Sequence, residues 1–250
     1  MYIMSLTFIT REDIINGIEE DIKHKKINTT KRNGNSISLR PIIYNCIREI
    51  YFEINDYERV APENLEFDKS FYWTAPIGVA IHEKLQSLTK LDQCHYTEKL
   101  MTFTSFAPLN IRSKCDGIDT RDPNNIILYE IKTKDKIPSK PYREELLQNL
   151  LSVFLFRREC NLNIKGSSMI YVDRNDPYNI TFFNYDFFNK LSPLYLNPIE
   201  ELKETFEKIW EVLQCLQKKE VPDINSKFIK KFAYGKCLCD TCVYRYSCKN

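Results

Sequence analysis

The sequence predicts an α/β domain with a mixed sheet flanked by helices rather than a regular βαβ repeat. Three observations carry that prediction. Helical spacing is followed by three consecutive strand patterns near the middle of the chain, then by a helix, two further strands and a last helix. Length and composition, 250 residues with 43% apolar, support one large core. The segment 237–248, "CLCDTCVYRYSC", is too thiol-dense for an ordinary helix end and marks a cysteine-stapled subdomain.

The elements follow in order. Residues 11–25 read as a short helix, and 23–36 as a basic polar loop ending in an Asn-Gly turn signal. The stretch 39–54, "LRPIIYNCIREIYFEI", reads as one helix that starts at Pro41 and carries Cys46. A second helix, 75–88, carries His82. The period then changes to that of strands: 99–107, 109–119 and 124–134, divided by Pro108 and by the turn "DPNN". Residues 143–160 form a helix, 167–174 and 179–186 a hairpin, and 199–218 a long helix. Residues 226–236, "SKFIKKFAYGK", interleave lysine with aromatics. That pattern suits phosphate contact with base stacking, or equally a basic turn whose aromatics anchor the tail.

Composition excludes several classes. Only six glycines are present and no phosphate-cradling glycine motif occurs, which argues against a nucleotide-driven motor. The net charge of +2 requires any nucleic-acid contact to use local patches. Neither a signal peptide nor an apolar run of membrane-spanning length is visible. The expectation is an intracellular, cytoplasmic protein without a membrane partner. In a reducing compartment, nine cysteines are better explained by metal than by disulfides. Cys239, Cys242 and Cys248 have the spacing of ligands, with Cys46 as a remote fourth. Four thiolates suit an iron–sulfur cluster, and zinc is the competitor. Cys237 is an additional thiol that can replace one of the four. Cys94, Cys115, Cys160 and Cys215 read as small buried hydrophobes.

The chemistry concentrates in "YEIKTK". On a strand Glu130 and Lys132 share a face while Ile131 points into the opposite layer. A carboxylate that holds Mg²⁺ or Mn²⁺ beside an ammonium that steadies developing phosphate charge is what metal-assisted phosphodiester hydrolysis requires. A second carboxylate must come from the preceding strand. With a turn centred on Pro123–Asn124, paired numbers sum to about 247. Glu130 then faces position 117, leaving Asp116 as the nearest acid. Asp119 faces 128, nearer the turn, and a bulge shifts this by a residue.

An Asp followed on a hairpin by Glu-x-Lys is the pattern of the PD-(D/E)XK nuclease superfamily. From about Ile37 to Cys248 the chain resembles its RecB-like branch with an iron–sulfur cluster, the Cas-four CRISPR-associated exonucleases and AddB-type nuclease domains. "LRPIIYNCIREIYFE" resembles the early cysteine helix and "GVAIHEKL" the helix of the metal-binding histidine. "SKCDGID", "YEIKTK", "KPYREELLQNLL" and "CDTCVYRYSC" follow in family order. The chain departs from the pattern at Ser113, where the family often has glycine, and at Ser152, where it often has tyrosine.

The resemblance implies a restriction-endonuclease-like sheet, with 37–55 and 226–250 forming an iron–sulfur staple around a 75–220 nuclease core in one domain. It implies a [4Fe–4S] cluster on Cys46, Cys239, Cys242 and Cys248. It also implies Mn²⁺ or Mg²⁺ on His82, Asp116, Glu130 and the Ile131 carbonyl, with Lys132 as the catalytic ammonium. Gln148 and Tyr142 would contact DNA. The implied activity is exonucleolytic cleavage of single-stranded DNA ends, with CRISPR integrase or recombination proteins as partners. The alternative is a non-catalytic iron–sulfur module that binds DNA or a protein.

Overall fold

The computed structural model describes residues 36–57, 69–176 and 178–229, together with 232, 233, 236, 237, 244, 247 and 248. The segments read as a helix at 11–25 and a basic loop at 23–36 therefore fall almost wholly outside the described residues, as do Cys239 and Cys242.

The larger sheet is built around strand β5 (Ile126–Lys134). Its alternation of large apolar residues buries Ile126 and Leu128 on one face and Ile131 on the other. β4 (Gly117–Asp119) lies antiparallel to it on one side and β6 (Ile164–Asp173) parallel on the other; β7 (Ile180–Asp186) completes the order β4-β5-β6-β7. A second, three-stranded sheet has the order β1-β3-β2, from β1 (Ser36–Ser38), β2 (Met101–Phe103) and β3 (Asn110–Ser113). β1 runs parallel to β3 and β2 antiparallel to it.

The single sheet expected from sequence is thus two mixed sheets, and the strand read over 109–119 is divided between them. The division falls at Lys114–Asp116. There the backbone turns to residues 97–98, with Thr97 bridging Cys115 and the Glu98 N–H donating to the Cys115 carbonyl at 3.0 Å.

Helices cover both faces. α3 (Lys69–Thr89) begins earlier than its sequence pattern and contains Pro76. It packs Ile81 and Leu85 on Ile131, Ile170 and Val172. The main core lies on the other face, where α4 (Arg143–Glu159) contributes Leu150, Leu151, Val153, Leu155 and Phe156. α5 (Pro198–Lys218) packs beside α4 and adds Leu202, Ile209 and Val212. It starts at Asn197, whose side chain accepts the Ile199 N–H at 3.2 Å, with Pro198 in the first turn.

The helix expected over 39–54 is two helices. α1 (Leu39–Tyr44) and α2 (Ile47–Ile54) are separated by extended Asn45 and Cys46, so Cys46 is the N-cap of α2 rather than a mid-helix residue. The break has a physical cause outside the segment. Lys208 of α5, only 6% exposed, donates its ammonium to the Ile42 carbonyl at 2.6 Å, to Ile43 at 3.5 Å and to Asn45. A cation at the C-terminal end of α1 satisfies carbonyls that would otherwise continue the helix. The Phe228 carbonyl accepts the Ile47 N–H that begins α2 at 3.4 Å.

The tail returns to α2. Tyr244 packs on Phe52 with ring centroids 5.7 Å apart, and Arg48 donates to the Cys248 carbonyl at 2.8 Å. Earlier in the tail, β8 (Phe232–Ala233) and β9 (Lys236–Cys237) form a short antiparallel pair. In the basic–aromatic stretch, Phe228 belongs to the core and Lys227 is paired with Glu207 at 2.7 Å. That part of the stretch anchors the chain. Among the described residues no helix is long and apolar enough to cross a membrane.

Lys208→Met keeps the length of the stem and removes the charge, leaving buried carbonyls without a donor. The expected loss is about 2–4 kcal/mol, read as a lower urea midpoint at unchanged m-value. An unchanged midpoint would show that the α1–α2 break does not depend on this ammonium.

Candidate metal and active site

β4 stops at its first residue, Gly117, which pairs with Tyr129. Continuing that register sets Asp116 opposite Glu130, and Asp119 faces Ile127, one residue from its expected partner. Asp116 is therefore the acid beside the Glu130–Lys132 segment. Asp119 lies toward the turn, where Arg121 holds its carboxylate at 2.6 and 2.9 Å.

Beyond the end of β4 the Asp116 side chain takes the place of a strand. Its Oδ2 accepts the Ile131 N–H at 2.6 Å. The Ile131 carbonyl leaves β5 on the same edge, as the two groups of one residue do in extended backbone. From the α3 side, His82 brings Nδ1 to 3.5 Å from Asp116 Oδ1. The helix approaches closely at Gly78, where an added Cβ would meet Thr133 Oγ1 at 3.0 Å. One turn after His82, buried Gln86 donates to the Asp116 carbonyl at 2.7 Å and to Glu98 Oε1 at 2.9 Å. Lys114 pairs with the other oxygen of Glu98.

Ligand atoms of His82, Glu98 and Asp116 all lie within 4.8 Å of one another. One imidazole with two carboxylates is a donor set for a hard or borderline divalent cation. Glu98 was not among the ligands expected from sequence. Glu130 was, and it is not part of this group. Its carboxylate accepts the Lys132 ammonium at 2.6 Å.

Electrostatics tie the two parts together. Glu130 is 5% exposed, and burial is the main reason its carboxyl is pushed up to about 7. Asp116 raises it further, while Lys132 and His82 oppose the shift. For Lys132, burial pulls the ammonium down, but Glu130, then Asp116 and Glu145, outweigh it and the net direction is up. The ammonium thus stays charged in a site that excludes most water.

The remaining expected residues are spread more widely. Tyr142 is the N-cap of α4 and half exposed, with the Lys134 ammonium 4.7 Å from its ring centroid. Gln148 is partly exposed, whereas its neighbour Asn149 is wholly buried with both amide atoms unpartnered. The two serines that depart from the resembled pattern meet, Ser113 Oγ lying 3.1 Å from Ser152 Oγ in the core. A glycine and a tyrosine at those positions would occupy the same space as one small and one large group.

Of the four cysteines expected to hold a cluster, Cys46 and Cys248 lie within the described residues. Burial chiefly raises the Cys46 thiol, with Glu49 and Cys248 adding to the rise. The two come from opposite ends of the described chain. Cys239, Cys242 and the Cys237 side chain fall outside the described residues. Cys94 and Cys115 are buried, as expected of small hydrophobes, and Cys160 and Cys215 half-buried.

The sequence matches no family model and no curated protein. Among solved structures the chain is similar to the archaeal protein SSO0001, at 15% identity and a TM-score of 0.50. The match covers 93% of this chain and 94% of that one. At this identity the likeness is one of fold.

The raised Glu130 carboxyl has a defined effect on stability. Its folded value of about 7 exceeds the unfolded carboxyl value of about 4.3. The stabilising contribution is therefore complete below the unfolded value and is lost as pH rises through about 7. Glu130→Gln removes this dependence. Denaturant titrations from acidic to neutral pH should show wild type losing on the order of 3 kcal/mol relative to Glu130→Gln. Parallel profiles would place Glu130 in a more polar setting.

Proposed function

We propose that the chain is a divalent-metal-dependent DNA nuclease that also carries an iron–sulfur cluster. The observation that carries the reading is the convergence at one edge of β5: Asp116 on the Ile131 N–H, His82 on Asp116, and the buried Glu130–Lys132 pair. The motif order and the fold likeness to SSO0001 are compatible with it.

His82, Glu98 and Asp116 would hold the cation, with the Ile131 carbonyl on the same edge and Glu130 next to it. When bound, such a cation supplies Lewis acidity and neutralises phosphate charge. Every other part of the step falls to the chain. Water attacks phosphorus while the P–O bond to the leaving sugar oxygen breaks, and that oxygen departs as an alkoxide that takes a proton from solvent water. Lys132 donates to the oxygen on which negative charge builds. Glu130, with its raised carboxyl, is suited to take up the proton released by the attacking water. Gln86 keeps Asp116 and Glu98 in register by bonding both.

The [4Fe–4S] cluster would use Cys46 and Cys248 with Cys239 and Cys242. Support comes from the packing of Tyr244 and Cys248 against α2 and from the Arg48 bond to the Cys248 carbonyl. Its role would be to fasten the tail to α2. The substrate is read as single-stranded DNA ends. By the family resemblance the setting is CRISPR spacer acquisition, or viral or cellular recombination and repair. A non-catalytic binding module is the second reading; the charged, half-buried Lys132 beside buried Glu130 favours the enzyme.

Asp116→Ala, Glu130→Ala and Lys132→Ala should each lower single-strand cleavage by at least about a hundredfold in Mn²⁺ or Mg²⁺. Asp119→Ala should retain most activity. Glu98→Ala should raise the metal concentration needed for half-maximal rate. Wild type that binds DNA without cleaving it in either metal would favour the binding module.

Anaerobically purified protein should be brown and contain iron and sulfide in about equal amounts, about four of each per chain. Cys46→Ala should lose both. A colourless protein with stoichiometric zinc would refute the cluster.

A further inference from the structure

The face of β5 that carries Glu130 and Lys132 continues to Lys134, because alternate residues share a face. Lys134 donates to Glu145 Oε1 at 2.6 Å, and the Tyr171 hydroxyl donates to Glu145 Oε2 at 2.6 Å. Glu145 is buried. Glu145 takes one of the three N–H donors of the Lys134 ammonium and leaves the others for a ligand. The same contacts fix the first turn of α4 against β5 and β6, and with it Tyr142. Tyr142 is 49% exposed, and the Lys134 ammonium lies 4.7 Å from its ring centroid.

A second aromatic–basic pair stands on α1. The Arg40 guanidinium lies 5.3 Å from the centroid of the Tyr44 ring. Arg40 is exposed and makes no ion pair among the described residues. Tyr44 is half-buried, and its phenol is raised first by burial, then by Glu145, with Lys132 acting the other way. α1 packs on α4, and Ile42 and Ile43 line one cleft with Arg143, Glu144 and Leu147, which brings the helix that carries Arg40 and Tyr44 to the first turn of α4, where Glu145 holds Lys134. Glu144, partly exposed in the same first turn of α4, is the carboxylate that opposes an anionic ligand here.

From these positions we propose that Arg40, Tyr44, Lys134 and Tyr142 form a docking strip for single-stranded DNA next to the scissile phosphate. The inference rests on the nuclease reading and deepens it. Arg40 and Lys134 take phosphates flanking the one that is cut. The exposed faces of Tyr142 and Tyr44 take unpaired bases, which a duplex does not offer. Glu145 is a positioning residue: it touches no substrate and holds Lys134 and Tyr171 to each other. The strip supplies local charge to a chain whose net charge is only +2.

The test is equilibrium binding of fluorescein-labelled oligothymidylate to the whole protein, with Ca²⁺ replacing Mn²⁺ so that the strand stays intact. Kd is followed against salt, and KM and kcat are then measured in Mn²⁺. Tyr142→Ala should weaken binding by about tenfold and leave the salt slope unchanged. Arg40→Ala and Lys134→Gln should weaken it and reduce the log–log salt slope by about 0.7 each, one phosphate apiece. For all three, KM should rise by a larger factor than kcat falls. Because Lys134 also anchors Glu145, the exposed Arg40 and Tyr142 variants decide the matter if Lys134→Gln fails to fold by circular dichroism. Wild-type affinity and slope in both Arg40→Ala and Tyr142→Ala, in a protein that cleaves DNA, would overturn the strip alone. A wild-type protein that neither binds nor cleaves DNA would overturn the nuclease reading and the strip together.

Discussion

The site depends on one hydrogen bond, from the Ile131 N–H to the Asp116 carboxylate at 2.6 Å. A strand inside a sheet, as β5 is, needs a partner for each backbone donor. β4 supplies partners only as far as Tyr129. From there onward a side chain replaces a strand, and the edge of β5 opens. That opening gives His82 and Glu98 access to Asp116 and leaves the Ile131 carbonyl facing the same space. A longer β4 would close the ladder and leave no room for a ligand. A carboxylate bound to a backbone amide is also held in one orientation, so its second oxygen remains aimed at His82.

Buried charge is used twice, with different consequences. Lys208 fills the end of α1 with donors for backbone carbonyls, and its surroundings contain the groups that a buried ammonium needs. Lys132 has a carboxylate partner whose own burial pushes it up to about 7. The first arrangement is saturated and structural. The second holds a proton that is easily moved, in a partly open position.

The sequence disclosed whatever rests on local period. The alternation of "IILYEIKTK" located β5 and put Glu130 and Lys132 on one face. The turn at 122–125 was enough to rank Asp116 above Asp119, although the pairing differs by a residue. Features imposed from a distance were not legible. The break at Asn45–Cys46 is set by Lys208, more than 160 residues away. Glu98 reaches the metal group from a loop in which it has a φ of 54°, and no pattern in "HYTEKL" announces that conformation. Gln86 was closer to detection, lying four residues after His82 on the same helix face. The pairing of Ser113 with Ser152 explains how two departures from the resembled pattern coexist: both alter one contact.

The bond between Arg48 and Cys248 joins positions 200 residues apart. A ribosome delivers α2 long before it delivers its partner. Until then the part of α2 that meets Tyr244 and Cys248, with Phe52 and the Arg48 guanidinium, has α5 but not the tail to cover it. Ordering so long a loop is entropically slow. On that ground the tail contact would come late in maturation, after the sheet that bears Asp116 and Glu130. Assembly in that order would separate the birth of the hydrolytic edge from the closure of the molecule.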